Sequence, residues 1–545
     1  MVDSEVFWSF NVSVGENVEN LIVVNTVRVK QKEVKRRRSV RWLLPVLAVL
    51  VICSAVGGSV IYEWNYGTFG LIGPQPTVKA TAAGRVIKVP PGGNIQAALE
   101  LATSGDIIEL QAGAVYSGTI TLPNKPLTDY VTIQSSAVGN LVPDKRVSPA
   151  QRSSMATITA GMLGRPAIAT AKGAHHYKFI GIEFAATSST YNYGLVVLGN
   201  GETAVNLPHH IEIDRSYMRP NKTGVVRRGI ALNSAETIVK NSYIEGFGFP
   251  GEETQGICGW TGTRNVKILN NYIEGGAENI MFGGADPASA DLIPIDIEVH
   301  GNYLNKPQAW ADKVSVKTLF ELKNSKRVRF TGNLMTNNWK GSAFRITIRN
   351  QDNGAPFSTI EDVLIKDNII DGAGDGINIL GKDDLYPSQV LKNLTIENNL
   401  FLNIRGDKEF EGGGYLIQVT QGEGITIVNN TAFNWGSTIK FYDTMPKAFV
   451  FRDNIIGHGL YGVHGIDNRS AQAQTLLQNN VFMNLNRVPT SDYAFPAGNT
   501  IVASMDEIRF ADPNAKDFRL APASKYRGKA KNGKNLGSDL APMPR

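Results

Sequence analysis

Lys323, Arg345, Arg349 and Lys440 are the residues of this 545-residue chain best suited to do chemistry, because carboxylates and aromatics recur beside them at the same place in a repeating unit. Glu321, Asp383, Asp384 and Tyr442 are their neighbours in sequence, Trp260 opens the series, and Asn378 and Gln418 fall between the cations. Arginine offers paired donors to a carboxylate or sulfate, and an indole or phenol ring stacks on a sugar face. A lysine or arginine can also take the proton next to a uronate carboxylate while a cation holds the enolate that forms. Lys323, Arg345 and Arg349 are the candidates for base and carboxylate clamp. Trp260, Glu321, Asn378, Gln418, Lys440 and Tyr442 are the candidates for binding a chain of such units. Glu321, Asp383 and Asp384 are the candidates for holding Ca²⁺, a hard ion that wants oxygen ligands. These assignments need an element that brings all of them into line.

The repeat supplies it. Seven copies of an apolar-polar-apolar-polar-polar-Asn phrase run from Val266 to Asn454, as in Val266-Lys-Ile-Leu-Asn-Asn271, Ile297-Glu-Val-His-Gly-Asn302 and Leu394-Thr-Ile-Glu-Asn-Asn399. With serine in the last slot the series extends back to Ser216 and Ser242, and it continues forward to Asn480. A period of 20 to 50 residues marks a solenoid, and alternation with a step of two marks a strand. Stacked units would bury one face of each strand in a shared cylinder, with the asparagine at a bend, bonding to its counterpart one coil along. A second strand follows each bend, as in Asn279-Ile-Met-Phe282, Leu319-Phe-Glu-Leu322 and Gly376-Ile-Asn-Ile379.

These motifs resemble the right-handed parallel β-helix family of pectate lyases and their relatives, over roughly residues 85 to 525. The resemblance implies an all-β solenoid of about 10–13 coils, with the amphipathic segment Asn94 to Ala102 as a helix plugging its amino-terminal end. In that architecture the outward residues of the second strands form one lateral groove. The row is expected to read Asn233, Trp260, Met281, Glu321 and Lys323, Arg345 and Arg349, Asn378, Gln418, then Lys440 and Tyr442, with Asp286, Asp383, Asp384 and Asp443 in the following turns. The family's catalytic motifs do not carry over. Asp383-Asp384 and Gly457-His458-Gly459 are present, but the early Asn-Thr-Asp of a polygalacturonase is missing, and Arg345-Ile346-Thr347 precedes both.

Elsewhere the chain is read more coarsely. Eight basic residues against one acid lie between Arg28 and Arg41; without that segment the net charge of +6 becomes about −1, which excludes nucleic-acid binding by charge for the bulk of the chain. Residues 1–41 are thus expected to be a basic cytoplasmic tail. The uncharged stretch 42–62 is long enough to be a membrane anchor. Residues 63–84 would be a linker, 85–525 an extracytoplasmic β-helix, and 526–545 a basic, solvated end. The alternative is secretion after cleavage of a signal peptide near Ala55-Val56-Gly57. Cys53 and Cys258 are expected to be unpaired. His175-His176 and His209-His210 are not expected to chelate as pairs, since neighbours on a strand point to opposite faces. The leading expectation is a membrane-anchored protein that binds an acidic polysaccharide and cleaves it by β-elimination. The alternative is a non-catalytic carbohydrate-binding or adhesive scaffold.

Overall fold

The computed structural model describes residues 77–543, apart from 82–83, 161–163, 188–190, 202, 222, 468–469 and 486–494. The basic tail, the 42–62 segment, Cys53 and most of the linker fall outside the described residues. No described helix is long and apolar enough to cross a membrane.

Three columns of parallel strands make the body. The first face runs from Gly84–Val89 through Arg264–Leu269 and Ile295–His300 to Leu477–Gln478. It holds 15 strands, the first of which, Thr77–Thr81, is antiparallel to Gly84–Val89. Part of the expected linker is therefore a strand. Second-face strands such as Tyr272–Glu274 and Tyr303–Asn305 follow the bend, and third-face strands such as Glu278–Phe282 and Thr318–Leu322 close each coil. In two coils the second and third faces fuse into the single strands Leu334–Thr347 and Ile369–Leu380, whose register shifts between Asn338 and Ser342.

Alternation fixes what the cylinder encloses. Val266, Ile268, Val299, Phe330, Ile365 and Ile396 on the first face meet Ile280, Phe320, Phe344 and Ile377 from the third, all of them at most 1% exposed. Phe320 and Phe330 lie 4.3 Å apart by ring centroid, and Phe330 meets Phe344 edge-on at 5.4 Å. Each such side chain contributes about 1.5–3 kcal/mol by leaving water, and one continuous core cluster holds them.

The bends hold the second device. Each slot asparagine accepts the backbone N–H of the preceding coil's slot residue, at 2.8 Å for Asn271 to Asn302 and 2.9 Å for Asn302 to Asn333 and Asn399 to Asn430. Its amide donates onward, and the ladder runs unbroken from Ser216 to Asn499, one rung beyond the repeat legible in the sequence. The left-handed backbone, by contrast, belongs to the residue just before the slot: Asn270, Asp367, Asn398 and Asn429 have φ of 52–60°, and Gly301 and Gly332 serve where no side chain is present. The bend thus divides between two neighbours the work that the sequence reading gave to one asparagine.

The amino-terminal end is closed. The helix Ile95–Leu101, capped by the Asn94 side chain at 3.0 Å from the Ala97 N–H, buries Ile95, Ala98 and Leu99 as the plug. At the carboxyl-terminal end the basic residues from Lys525 to Lys534 are exposed, yet the backbone that carries them folds back along the second face. Gly537 N–H bonds to the Asp453 carbonyl, Ser538 N–H to Thr431, and Asp539 N–H to Asn398. Phe518, Leu540 and Met543 cover Leu334, Ile369, Leu400 and Leu402, apolar residues that the repeat leaves facing outward.

Candidate functional site

On the third face the strand register decides which residues share a row. Cys258 pairs with Met281, Met281 with Glu321, Glu321 with Arg345, Arg345 with Asn378, Asn378 with Gln418, and Gln418 with Lys440. Six of the residues expected on the outward row therefore stand in register, one per coil, about 4.8 Å apart. Lys323, Tyr442, Trp260 and Asn233 lie two residues further along their strands and form a parallel row nearer the following turn. Arg349 lies one step beyond that second row, its N–H bonded to the Lys323 carbonyl at 2.9 Å. Asn233 is fully buried and turns to structure, accepting the Trp260 N–H at 3.0 Å.

The charges along the row are unevenly matched. Arg345 Nε lies 3.7 Å from Glu321 Oε1, too far for a hydrogen bond. Glu321 is 1% exposed, and its Oε2, Arg345 Nε and Asn378 Oδ1 are buried without a hydrogen-bond partner. Such atoms cost roughly 1–3 kcal/mol each unless something satisfies them. Arg349, by contrast, is taken up by Asp384 and by Asp383 at 3.3 Å. Lys323 makes no ion pair within 4 Å among the described residues, and its stem lies over Gly283 and Gly284, where a β-carbon would touch it or Met281. Lys440 is held over the Tyr415 ring, 5.0 Å from its centroid. Burial and the Asp384 carboxylate push the Tyr442 phenol up.

Sequence reasoning missed the deeper half of the site. Glu278, fully buried at the start of its strand, accepts from Gln255 Nε2 at 2.8 Å and faces Lys317 Nζ at 3.8 Å. Burial, reinforced by the Glu321 carboxylate, pushes the Glu278 carboxyl up to about 7. Lys317 also binds Glu253. Behind them Lys306 is completely buried, donating to the Gly275, Gly276 and Ala277 carbonyls at 2.7, 2.6 and 3.3 Å; burial pushes its ammonium down. The signal was present in the register, since Arg228, Gln255 and Glu278 stack three residues before the outward row.

The expected Ca²⁺ ligands are not gathered. Both Asp383 oxygens are occupied, Oδ2 by the Asn350 N–H at 2.6 Å and Oδ1 by the Leu385 N–H at 2.9 Å and Arg349. Glu321, Asp383 and Asp384 do not form a group of three within 4.8 Å. They do not fit a shared Ca²⁺. Asp286 likewise anchors a loop, taking the Gln351, Asp352 and Gly354 N–H groups at 2.6–2.8 Å and tying together the two turns beside Lys323. Cys258 is buried and unpaired, as expected.

Residues 342–503 match the family model described as a right-handed beta helix region. The fold of the described residues is that of a parallel β-helix. Similar solved structures of this β-helix protein include the family 6 alginate lyase AlyGC, 14% identical with a TM-score of 0.48 over 84% of this chain; this chain covers 59% of that enzyme's length. A mannuronic acid-specific family 6 lyase from human gut microbiota matches at 14% identity and a TM-score of 0.39, over 76% of this chain and 90% of that one. PfbA, a surface adhesin of Streptococcus pneumoniae, matches at 14% identity and 0.44, over 72% and 86%. No curated protein matches the sequence significantly.

Proposed function

We propose that the third face of the β-helix binds an acidic polysaccharide along the row from Glu321 to Lys440 and cleaves it by β-elimination. The observation that carries this reading is the register itself: Glu321, Arg345, Asn378, Gln418 and Lys440 stand one per coil on a single line, with orphaned polar atoms at Glu321, Arg345 and Asn378. A linear chain of like units is the ligand whose repeat can follow a solenoid's. Arg345, whose side chain is 33% exposed, would clamp a sugar carboxylate with the outer N–H groups of its guanidinium. Lys323, which like Lys440 makes no ion pair within 4 Å among the described residues, would take the proton next to that carboxylate as the glycosidic C–O bond on the β-carbon breaks, the departing sugar oxygen taking its proton from solvent. Arg349, locked to Asp383 and Asp384, would position Lys323 through their shared backbone bond. Tyr442 and Trp260 would stack on the flanking sugars. No step requires a metal.

A second reading is favoured by a specific observation. Arg345 and Arg349 already have carboxylates beside them, so the row can be a binding surface with no base, as in a carbohydrate-binding or adhesive scaffold. Export of the β-helix, through a retained anchor at 42–62 or after signal cleavage, belongs to either reading. Incubation of the purified protein with pectate, alginate and a glycosaminoglycan separates them. Growth of the ultraviolet absorbance of an unsaturated uronide supports elimination. Retention on those glycans without any such growth supports the scaffold, and no retention on any of them rejects both.

A further inference from the structure

The chain carries two adjacent histidine pairs, His175-His176 and His209-His210, at the opening of successive first-face strands. Alternation along a strand would set each pair on opposite faces, but the second histidine of each pair has a left-handed backbone, with φ of 59° at His176 and 51° at His210. That kink returns both rings to the same side, so the expectation that neither pair could chelate fails. His209 and His210 bring their Nδ1 atoms to 2.7 Å, and Glu236, the residue in the same left-handed position one coil on, places Oε2 2.6 Å from His210 Nδ1. All three atoms lie within 4.8 Å of one another.

Protons alone satisfy this arrangement poorly. If His210 Nδ1 donates to Glu236, the same hydrogen cannot also bridge to the His209 nitrogen. If His209 donates instead, the His210 lone pair faces a carboxylate oxygen at hydrogen-bond distance. A cation resolves the conflict by accepting all three lone pairs. We propose that His209, His210 and Glu236 bind a divalent transition-metal ion of the zinc class. Two imidazoles and one carboxylate suit Zn²⁺ and its first-row neighbours rather than Ca²⁺. Three protein ligands in a partly exposed corner leave an outer position for water.

The surroundings are consistent with a preorganised site. His175 stacks on His209 at 4.8 Å and nearly parallel, and His176 stacks on His210 at 4.5 Å, so the coil below fixes both ring planes. Tyr130 closes the stack edge-on against His176. A tetrahedral ion with bonds of about 2.0–2.1 Å needs the two nitrogens roughly 3.3 Å apart, so occupancy parts the rings by about half an ångström. Because the ligands come from two coils, the ion would tie Glu236 to the coil that carries the histidines.

The test uses the full chain without a polyhistidine tag, stripped with chelator and titrated with Zn²⁺ by calorimetry. Co²⁺ absorption serves as a second, coordination-sensitive readout. The expected result is one saturable site, raised thermal stability on loading, and no response to Ca²⁺. His210→Ala and Glu236→Gln should each weaken Zn²⁺ by roughly tenfold or more, whereas the double variant His175→Ala/His176→Ala should keep the stoichiometry. A wild-type protein with no Zn²⁺ or Co²⁺ site overturns the proposal. So does a folded His210→Ala, checked by circular dichroism, that binds like the wild type.

Discussion

The asparagine ladder and the charged row of the third face are built on the same coils, yet they differ in what they repeat. In the ladder, the same residue returns in coil after coil, and each slot asparagine from Asn302 to Asn480 has an asparagine partner on both sides. On the row, Met281, Glu321, Arg345, Asn378, Gln418 and Lys440 follow one another with no two alike, and several buried polar atoms are left without partners. Repetition with full satisfaction is what a stable solenoid needs. Variation with unmet hydrogen bonds costs stability, and a ligand is the natural compensation. The two regions therefore separate structure from function within one turn of chain.

Substitution should expose that separation, beginning with the largest effect. Lys323→Ala is expected to lower glycan elimination by about 10²–10⁴-fold, the usual share of a general base, with a denaturation midpoint close to wild type. Asn399→Ala should do the reverse. It removes the acceptor of the buried Asn368 N–H and the donor to the Asn430 side chain and the Ile365 carbonyl. A loss of about 2–5 kcal/mol in urea unfolding is expected, with glycan retention intact in the folded fraction. A ladder variant that unfolds no more easily than Lys323→Ala would erase the distinction.

Glu278 sharpens the comparison through pH. Its folded carboxyl sits near 7, above the ordinary value of 4.5, so the folded state holds a proton that the unfolded chain releases. Its contribution to stability is fully present below about pH 4.5 and is lost as pH rises toward 7. Glu278→Gln should flatten that decline in a pH series of unfolding curves; an unchanged slope assigns the decline elsewhere. The smallest effect belongs to the returning carboxyl terminus. Lys516→Ala removes a 2.6 Å pair with Asp371 in which the lysine is half exposed, and about 0–1 kcal/mol is expected in the same urea assay.

How far these regions could be read from sequence follows from the same contrast. The Asn slot was legible because it is periodic, and the outward row from Met281 to Lys440 followed once inward and outward positions were assigned. Glu278 and Lys317 escaped because one opens its strand and the other just precedes its own, and both gain meaning only from the coils beside them. The histidine corner was misjudged for a different reason. From Ser216 to Asn399 the residue six places before the slot, namely His210, Glu236, Asn265, Asp296, Arg327, Asp362 and Asn393, is left-handed, so simple alternation fails at the opening of each of these strands. That second period, polar throughout and Asn, Asp, His or Glu at every position but Arg327, is present in the sequence and marks where a kink redirects the side chains. The folding back of the last thirty or so residues had no local signal: its cause is the apolar outward face formed by Leu334, Ile369, Leu400 and Leu402 on coils distant in sequence.

The most direct test of the central claim is calorimetric titration of an acidic polysaccharide into the wild-type protein and into the double variant Arg345→Ala/Lys440→Ala, with unfolding curves recorded on both. The two residues sit three rungs apart on one line. Saturable binding by the wild type is expected, and in the variant a loss of at least about tenfold in affinity together with a shallower salt dependence. Equal affinity in a stably folded variant would place the glycan on another face and contradict it.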